Sequence, residues 1–193
     1  EEIPRSLLTD TFSAYIKIAE GCDNHCTYCI IPKLRGKYRS RRQEDILKEA
    51  RQLAKNGVKE LIVIAQDTTK YGLDIYGKKA ISDLMRELNE IEGLKWIRIL
   101  YSYPEDVDAE FVKAVKECEK VLPYFDMPVQ HANDAILKLM NRKTSKQQIK
   151  ENIDRIRKEI PEASIRTSII VGFPTETQEQ FDELCEFVKE VKF

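Results

Sequence analysis

The sequence predicts an α/β domain whose parallel strands are joined through right-handed helical crossovers, as a partial barrel or as an open sheet. Three observations carry that expectation. Short apolar runs alternate with segments of helical periodicity, polar residues follow each run, and no residue pattern recurs from unit to unit, which excludes a solenoid.

Residues 14–18 (AYIKI) form the first expected strand, which leads directly into the segment GCDNHCTYC. Over 43–56, Ile46, Leu47, Ala50, Leu53 and Ala54 fall at helical spacing, and Gly57 is placed to end that helix. Residues 61–65 (LIVIA) make a continuous apolar run, as a parallel strand covered on both faces requires. A helix carrying Ile81, Leu84, Met85, Leu88 and Ile91 follows and is expected to stop at Gly93. The third strand is 96–101 (WIRILY), the fourth 121–129 (VLPYFDMPV) and the fifth 165–171 (IRTSIIV), with helices between them. Ser145 with Gln148, and Thr177 with Gln180, read as capping boxes: the hydroxyl accepts from one orphan N–H of the first turn and the amide reaches back to another.

The totals bound the class. A chain of 193 residues fits one domain that buries about 70% of its unfolded surface without disulfides. With 32 Lys and Arg against 33 Asp and Glu, there is no global electrostatic reason to expect a dedicated nucleic-acid binder. Five cysteines, an odd count, with no secretory segment and no apolar run near about 18 residues, point to a cytoplasmic protein without membrane contact. Residues 1–12 read as a linker. The chain stops where a sixth strand would begin, so 13–193 is expected to be a catalytic domain taken from a longer protein and truncated at its carboxyl end.

In barrels and open parallel sheets alike, residues just past the carboxyl ends of the strands converge on the site. After the first strand these are Cys22, Cys26 and Cys29; after the second, Gln66, Asp67 and Thr68; after the third, Ser102 and Tyr103. Gln130 and His131 follow the fourth, and Gly172, Thr175 and Glu176 the fifth. The cysteines have the spacing of metal ligands, C-x-x-x-C-x-x-C. A structural zinc site is closed by four protein ligands, whereas three thiolates leave one position open, where a small molecule can bind an iron-sulfur cluster and be activated. Two readings from other classes stand beside this one: a zinc-bound RNA-binding module that recruits His25, and an interaction domain indifferent to its cysteines.

Bland readings also apply elsewhere. The six basic residues Lys33, Arg35, Lys37, Arg39, Arg41 and Arg42 around Tyr38 are a solvated surface or a contact for a macromolecular substrate or neighbouring domain. Gly172 is a steric necessity or a ligand contact, and Glu176 favours a helix start or touches a cofactor. His131 caps or packs, or takes a direct part. Cys118 and Cys185 fall on apolar helix faces and are expected to be inert core thiols.

The strand-loop motif with Tyr28 just before Cys29 resembles the signature of radical S-adenosylmethionine (SAM) enzymes. That resemblance implies an incomplete, TIM-like (β/α) barrel. It further implies a 4Fe-4S cluster on Cys22, Cys26 and Cys29, with the methionyl amine and carboxylate of S-adenosylmethionine on the fourth iron. One-electron reduction of the sulfonium then releases a 5′-deoxyadenosyl radical that abstracts hydrogen. The stretches CIIPKLRGKYRSR, NGVKELIVIAQDTTKYG, FDMPVQHANDAILKLMNRKTS and IIVGFPTET are similar to the methylthiotransferases, which replace an unactivated C–H with C–SCH3, and cover nearly the whole chain from Ala14. Ala65-Gln66-Asp67 and the Tyr101 to Pro104 stretch resemble the ribosomal-protein branch, where the tRNA adenosine branch carries Gly-Gln-Asn after the second strand.

The branch implies a specific setting. The substrate is the β-carbon of an aspartate in the small-subunit ribosomal protein S-twelve, an electron donor is required, and a monomer is expected. An amino-terminal domain with a second 4Fe-4S cluster and a carboxyl-terminal TRAM domain belong to the family and are not in this sequence. Tyr28, Gln66, Asp67 and Ser102 are the expected cofactor contacts on the first three strand ends. Gln130, Arg142, Gly172 and Glu176 complete the set, with the Arg142 guanidinium suited to the methionyl carboxylate.

Overall fold

Alternation in the first strand sets the architecture: Ala14 and Ile16 are buried while Tyr15 and Lys17 are exposed, so one face of the sheet is covered and the other open. The computed structural model describes residues 12–193; the expected linker, Phe12 apart, lies outside the described residues. In chain order the strands are β1 (Ser13–Lys17), β2 (Ala19–Glu20), β3 (Arg39–Ser40), β4 (Glu60–Ile64), β5 (Trp96–Ile99), β6 (Tyr124–Asp126) and β7 (Ser164–Arg166). The helices are α1 (Ile31–Arg35), α2 (Gln43–Lys55), α3 (Leu73–Tyr76), α4 (Ile81–Asn89), α5 (Ala109–Glu117), α6 (Asp134–Leu139), α7 (Lys146–Glu159) and α8 (Gln178–Val191).

β1, β4 and β5 form a parallel sheet in that order, with Ile16 opposite Val63 and Leu61 opposite Ile97. A parallel bridge from Ile97 to Val121 carries the order on to β6, which pairs in parallel with β7. The five parallel strands therefore stand side by side in chain order, as a partial (β/α) barrel. The antiparallel pair β2–β3 lies outside that series and was not legible in the apolar pattern, because each strand is two residues long.

The helices form where the periodicity places them and lie over the buried face, with α2 against α4, α4 against α5 and α5 against α7. α2 buries the five residues the spacing selects, each large one contributing about 1.5–3 kcal/mol of burial. It closes in a Schellman motif, in which Val58 N–H donates to the Leu53 carbonyl at 3.1 Å and Gly57 N–H to that of Ala54 at 3.0 Å. Both capping boxes are present, at Ser145 with Gln148 and Thr177 with Gln180.

Some boundaries differ from the expectation. α4 ends at Asn89, and Gly93 (φ 89°) instead turns the chain into β5. β5 stops at Ile99 because Tyr101 takes φ 60° and donates its N–H to Asp126 Oδ2 at 3.0 Å. The fourth strand shrinks to β6 between Pro123 and Pro128, which have no N–H to give a ladder. The fifth shrinks to β7 because the Thr167 hydroxyl enters the ladder, accepting from Val129 N–H at 3.1 Å and donating to the Met127 carbonyl at 2.9 Å.

Candidate functional site

The cysteine loop is fixed at both ends. Gly21 (φ 80°) opens it, and a Cβ there would lie 2.2 Å from the Lys37 carbonyl oxygen and 2.6 Å from that of Gly36, so only glycine fits. Cys22 N–H donates to the Gly36 carbonyl at 3.2 Å, and Tyr38 N–H to Asp23 Oδ1 at 3.1 Å. The far end docks on the carboxyl end of α6, whose last carbonyls have no partner within the helix. Thr27 takes two of them, its N–H donating to Met140 at 3.2 Å and its hydroxyl to Leu139 at 3.0 Å, while Asn141 Nδ2 donates to the His25 carbonyl at 2.8 Å.

Cys22, Cys26 and Cys29 are free thiols; the first two are buried and the third is exposed. Burial pushes the Cys22 thiol up, while a 3.4 Å hydrogen bond from Asn24 N–H opposes it. Cys22 and Cys29 line a cleft of about 360 Å³ together with Lys17, Gln66 and Tyr101. Cys26 lines the neighbouring cleft of about 440 Å³, with Lys70 and Arg142, and Tyr103 borders both. As placed, the three side chains are not gathered: among the described residues no group of three or more His, Cys, Asp or Glu converges as a ligand set. His25 is exposed beside Cys26 and does not complete one. The donor chemistry nonetheless fits an iron-sulfur cluster, because three soft thiols share one loop held by backbone hydrogen bonds.

The expected contacts fall into two groups. Gln66 lines the first cleft, and its buried Oε1 has no hydrogen-bond partner among the described residues. Tyr28 is 37% exposed, with its hydroxyl end toward Cys26 and Arg142; partial burial of that end pushes its phenol up, opposed by the Arg142 charge. Arg142 is buried with its guanidinium 4.2 Å over the Tyr103 ring. Its Nη2 donates to Glu105 Oε2 at 3.0 Å and to the Pro128 carbonyl at 3.3 Å, leaving Nε and Nη1 without partners among the described residues. Burial pushes the Glu105 carboxyl up, and Arg142 opposes that.

The second group is turned inward. Asp67 is fully buried, accepting from Asn24 Nδ2 at 3.0 Å, from Thr69 N–H at 3.1 Å and from the Thr69 hydroxyl, with Lys70 at 3.7 Å. Burial pushes its carboxyl up, and those bonds oppose the shift. Its carbonyl accepts the Tyr38 hydroxyl at 2.8 Å, so Asp67 ties the cysteine loop to the basic segment. Ser102 donates its N–H to the Asp126 carbonyl at 2.9 Å, and its hydroxyl is 3.4 Å from that of Thr68.

At the ends of β6 and β7, Gln130 (φ 70°) is held by backbone bonds to Ser168 at 2.9 Å and Ile170 at 2.8 Å. His131 is fully buried: Nδ1 accepts from Asn133 N–H at 3.0 Å, which leaves the proton on Nε2 for Glu176 Oε1 at 3.2 Å. The other Glu176 oxygen accepts from Phe173 N–H at 2.9 Å, across the exposed Gly172. Burial opposes ionisation of Glu176, yet the His131 and Phe173 bonds hold its carboxyl below the usual range. None of Gln130, Gly172 and Glu176 lines either cysteine cleft.

Tyr103 was named among the strand-end residues without a role, and the structure puts its hydroxyl 3.2 Å from Cys26 Sγ. Its signal in the sequence was only its position after the third strand. Burial, and then that hydrogen bond, push its phenol far up.

The profile of the Radical SAM superfamily matches residues 16–188. A protein of Clostridioides difficile named "Ribosomal protein uS12 methylthiotransferase RimO" is 60% identical over 193 residues, which is 100% of this chain and 44% of that protein. A protein of the same name from Caldicellulosiruptor saccharolyticus is 58% identical over 191 residues, 99% of this chain and 43% of that one. The chain thus spans less than half the length of these relatives. Among solved structures, the radical S-adenosylmethionine methyltransferase TsrM from Kitasatospora setae, with cobalamin and a 4Fe-4S cluster bound, matches with a TM-score of 0.74 at 16% identity over 92% of this chain and 34% of that one. The cobalamin-dependent S-adenosylmethionine radical enzyme OxsB matches with a TM-score of 0.71 at 14% identity over 92% of this chain and 26% of that one. At such identities the likeness is one of fold.

Proposed function

We propose, from the premise that the chain belongs to the radical SAM superfamily, that residues 13–193 are the radical domain of a methylthiotransferase. The parent enzyme places a methylthio group on the β-carbon of an aspartate in ribosomal protein S-twelve. One observation carries this reading: three free thiols on a loop held by backbone hydrogen bonds, at the carboxyl end of the first of a series of parallel strands. The identity of 60% and 58% to two proteins named for that activity supports the branch.

In this reading Cys22, Cys26 and Cys29 hold a 4Fe-4S cluster, and S-adenosylmethionine takes the position they leave open. When bound, that pair supplies the one-electron chemistry that removes hydrogen from an unactivated C–H. The chain's own part is binding and placement. Gln66 offers its unpartnered buried oxygen to a donor of the cosubstrate, since leaving that oxygen unmet costs about 1–3 kcal/mol. Arg142 offers the free edge of its guanidinium to the carboxylate while its face rests on Tyr103. Tyr28 borders the same ligand, and Gln130 and Gly172, which line neither cysteine cleft, meet its far end beyond β6 and β7. Asp67, Ser102 and Glu176 act through position, holding the loops that carry these contacts. A linker over 1–12, an amino-terminal domain with a second 4Fe-4S cluster, a TRAM domain, an electron donor and a cytoplasmic, monomeric state complete the reading.

The test is anaerobic reconstitution with iron and sulfide. One 4Fe-4S cluster per chain is expected, lost in Cys22→Ala, Cys26→Ala or Cys29→Ala and kept in Cys118→Ala and Cys185→Ala. Stoichiometric zinc without sulfide would instead select the zinc-bound RNA-binding module.

A further inference from the structure

The three cysteines sit in unequal surroundings. Cys29 is exposed, and Cys22 receives one long backbone hydrogen bond, at 3.4 Å. Cys26 is buried, with the Tyr103 hydroxyl 3.2 Å from its sulfur. Behind that hydroxyl the Arg142 guanidinium lies 4.2 Å over the Tyr103 ring, and the Lys70 ammonium stands 5.9 Å from the ring centroid. Arg142 is itself fixed by Glu105 at 3.0 Å and is buried, so its charge is weakly screened by water. A cation over the ring draws electron density from the phenol and makes its O–H a stronger donor. The face of Arg142 that rests on Tyr103 is separate from the unpartnered Nε and Nη1 edge assigned above to the cosubstrate carboxylate.

We propose that Tyr103, polarised by the stacked Arg142, donates its hydroxyl hydrogen bond to the Cys26 thiolate and thereby raises the reduction potential of the cluster. The inference rests on the cluster reading above and adds a residue and a property to it. Reduction adds one electron to a cluster that already carries anionic thiolates, so the extra negative charge is felt at the ligand sulfurs. The donor at one sulfur stabilises the reduced form more than the oxidised one, which moves the potential in the positive direction; Arg142, whose own charge is offset by Glu105 at 3.0 Å, acts through the hydroxyl it polarises. The placement also has a functional sense. A more positive cluster accepts an electron more readily from a cellular donor. Tyr103 is a positioning residue here: it touches a ligand of the cluster and not the substrate.

The chain is reconstituted anaerobically as wild type, Tyr103→Phe and Tyr124→Phe, and as a protein with fluorotyrosine at position 103. Iron, sulfide and the midpoint potential, from an EPR-monitored redox titration without S-adenosylmethionine, are measured on each. Tyr103→Phe keeps the ring and should bind the same iron and sulfide with a more negative midpoint. Fluorotyrosine, a stronger donor, should move the midpoint the other way, which keeps the proposal open to test if the phenylalanine variant folds poorly. Tyr124 also lies under an arginine, with Arg98 4.8 Å over its ring, but lines neither cysteine cleft, so Tyr124→Phe should leave the midpoint in place. Equal midpoints for tyrosine, phenylalanine and fluorotyrosine overturn this proposal and leave the cluster reading standing. A wild-type chain that takes up no iron and sulfide overturns both.

Discussion

Gly21 carries a constraint that its neighbours cannot relieve, because the atoms a Cβ would strike are backbone oxygens of the segment that pairs back on the loop. Gly21→Ala should therefore displace the cysteine loop, costing about 1–3 kcal/mol in a denaturant melt and lowering iron and sulfide uptake. Unchanged midpoint and uptake would show that the loop is looser than its hydrogen bonds indicate. Glu176 makes a separate prediction. Its folded-state value is depressed, so its contribution is present above the ordinary glutamate value and lost as pH falls through the folded one. Glu176→Gln should cost about 1–3 kcal/mol at neutral pH, since one end of the amide cannot accept both the His131 and Phe173 protons. The gap from wild type should close below about pH 4, measured as melts across the acid range. These two residues also mark a limit of sequence reading. The cysteines were legible because their spacing is local. The contacts of Asn24 with Asp67, Cys26 with Tyr103 and His131 with Glu176 join residues 43, 77 and 45 positions apart, and nothing in a linear pattern pairs them.

At the scale of elements, the helices were the most legible part because 3.6-residue periodicity and capping chemistry both lie along the chain. Ser145 and Thr177 mark their helix starts to the residue. Strand existence and parallel order were legible from the apolar runs, and strand ends were not, since Thr167 and Tyr101 end their ladders through groups outside the apolar pattern. The turn between β7 and α8 yields a prediction of its own. Thr175 sits at φ 73°, a conformation that crowds a β-branched side chain, and it is exposed, so nothing packs there in return. Thr175→Gly should raise stability by roughly 1 kcal/mol, the Cβ penalty of the left-handed region less the added freedom of the unfolded chain. Because Glu176 closes the same turn, the gain should survive in a Glu176→Gln background only in part. A double-mutant cycle of melting midpoints reads that coupling.

For the whole molecule, five parallel strands bring the cysteine loop, Gln66 and Tyr103 to one end of the sheet, while Tyr15 and Trp96, 52% and 50% exposed, remain on its open face. Beside the cysteines, α1 presents Leu34 at 69% exposure between the exposed Lys33 and Arg35, a surface that fits the macromolecular substrate proposed above. A macromolecular substrate also fits the chemistry. The β-C–H of an aspartate is not acidic enough for base catalysis beside its own carboxylate, whereas hydrogen abstraction makes a carbon radical that can accept sulfur. On the reading proposed above, a longer parent enzyme given a second 4Fe-4S cluster, a reductant and S-adenosylmethionine should therefore add one methylthio group to a single aspartate of ribosomal protein S-twelve, seen as a mass increase on one peptide. The isolated chain should at most cleave S-adenosylmethionine, without that product. Modification of a tRNA adenosine by that longer enzyme, with the ribosomal protein untouched, would move the assignment to the tRNA branch while leaving the proposal of a cluster on Cys22, Cys26 and Cys29 standing.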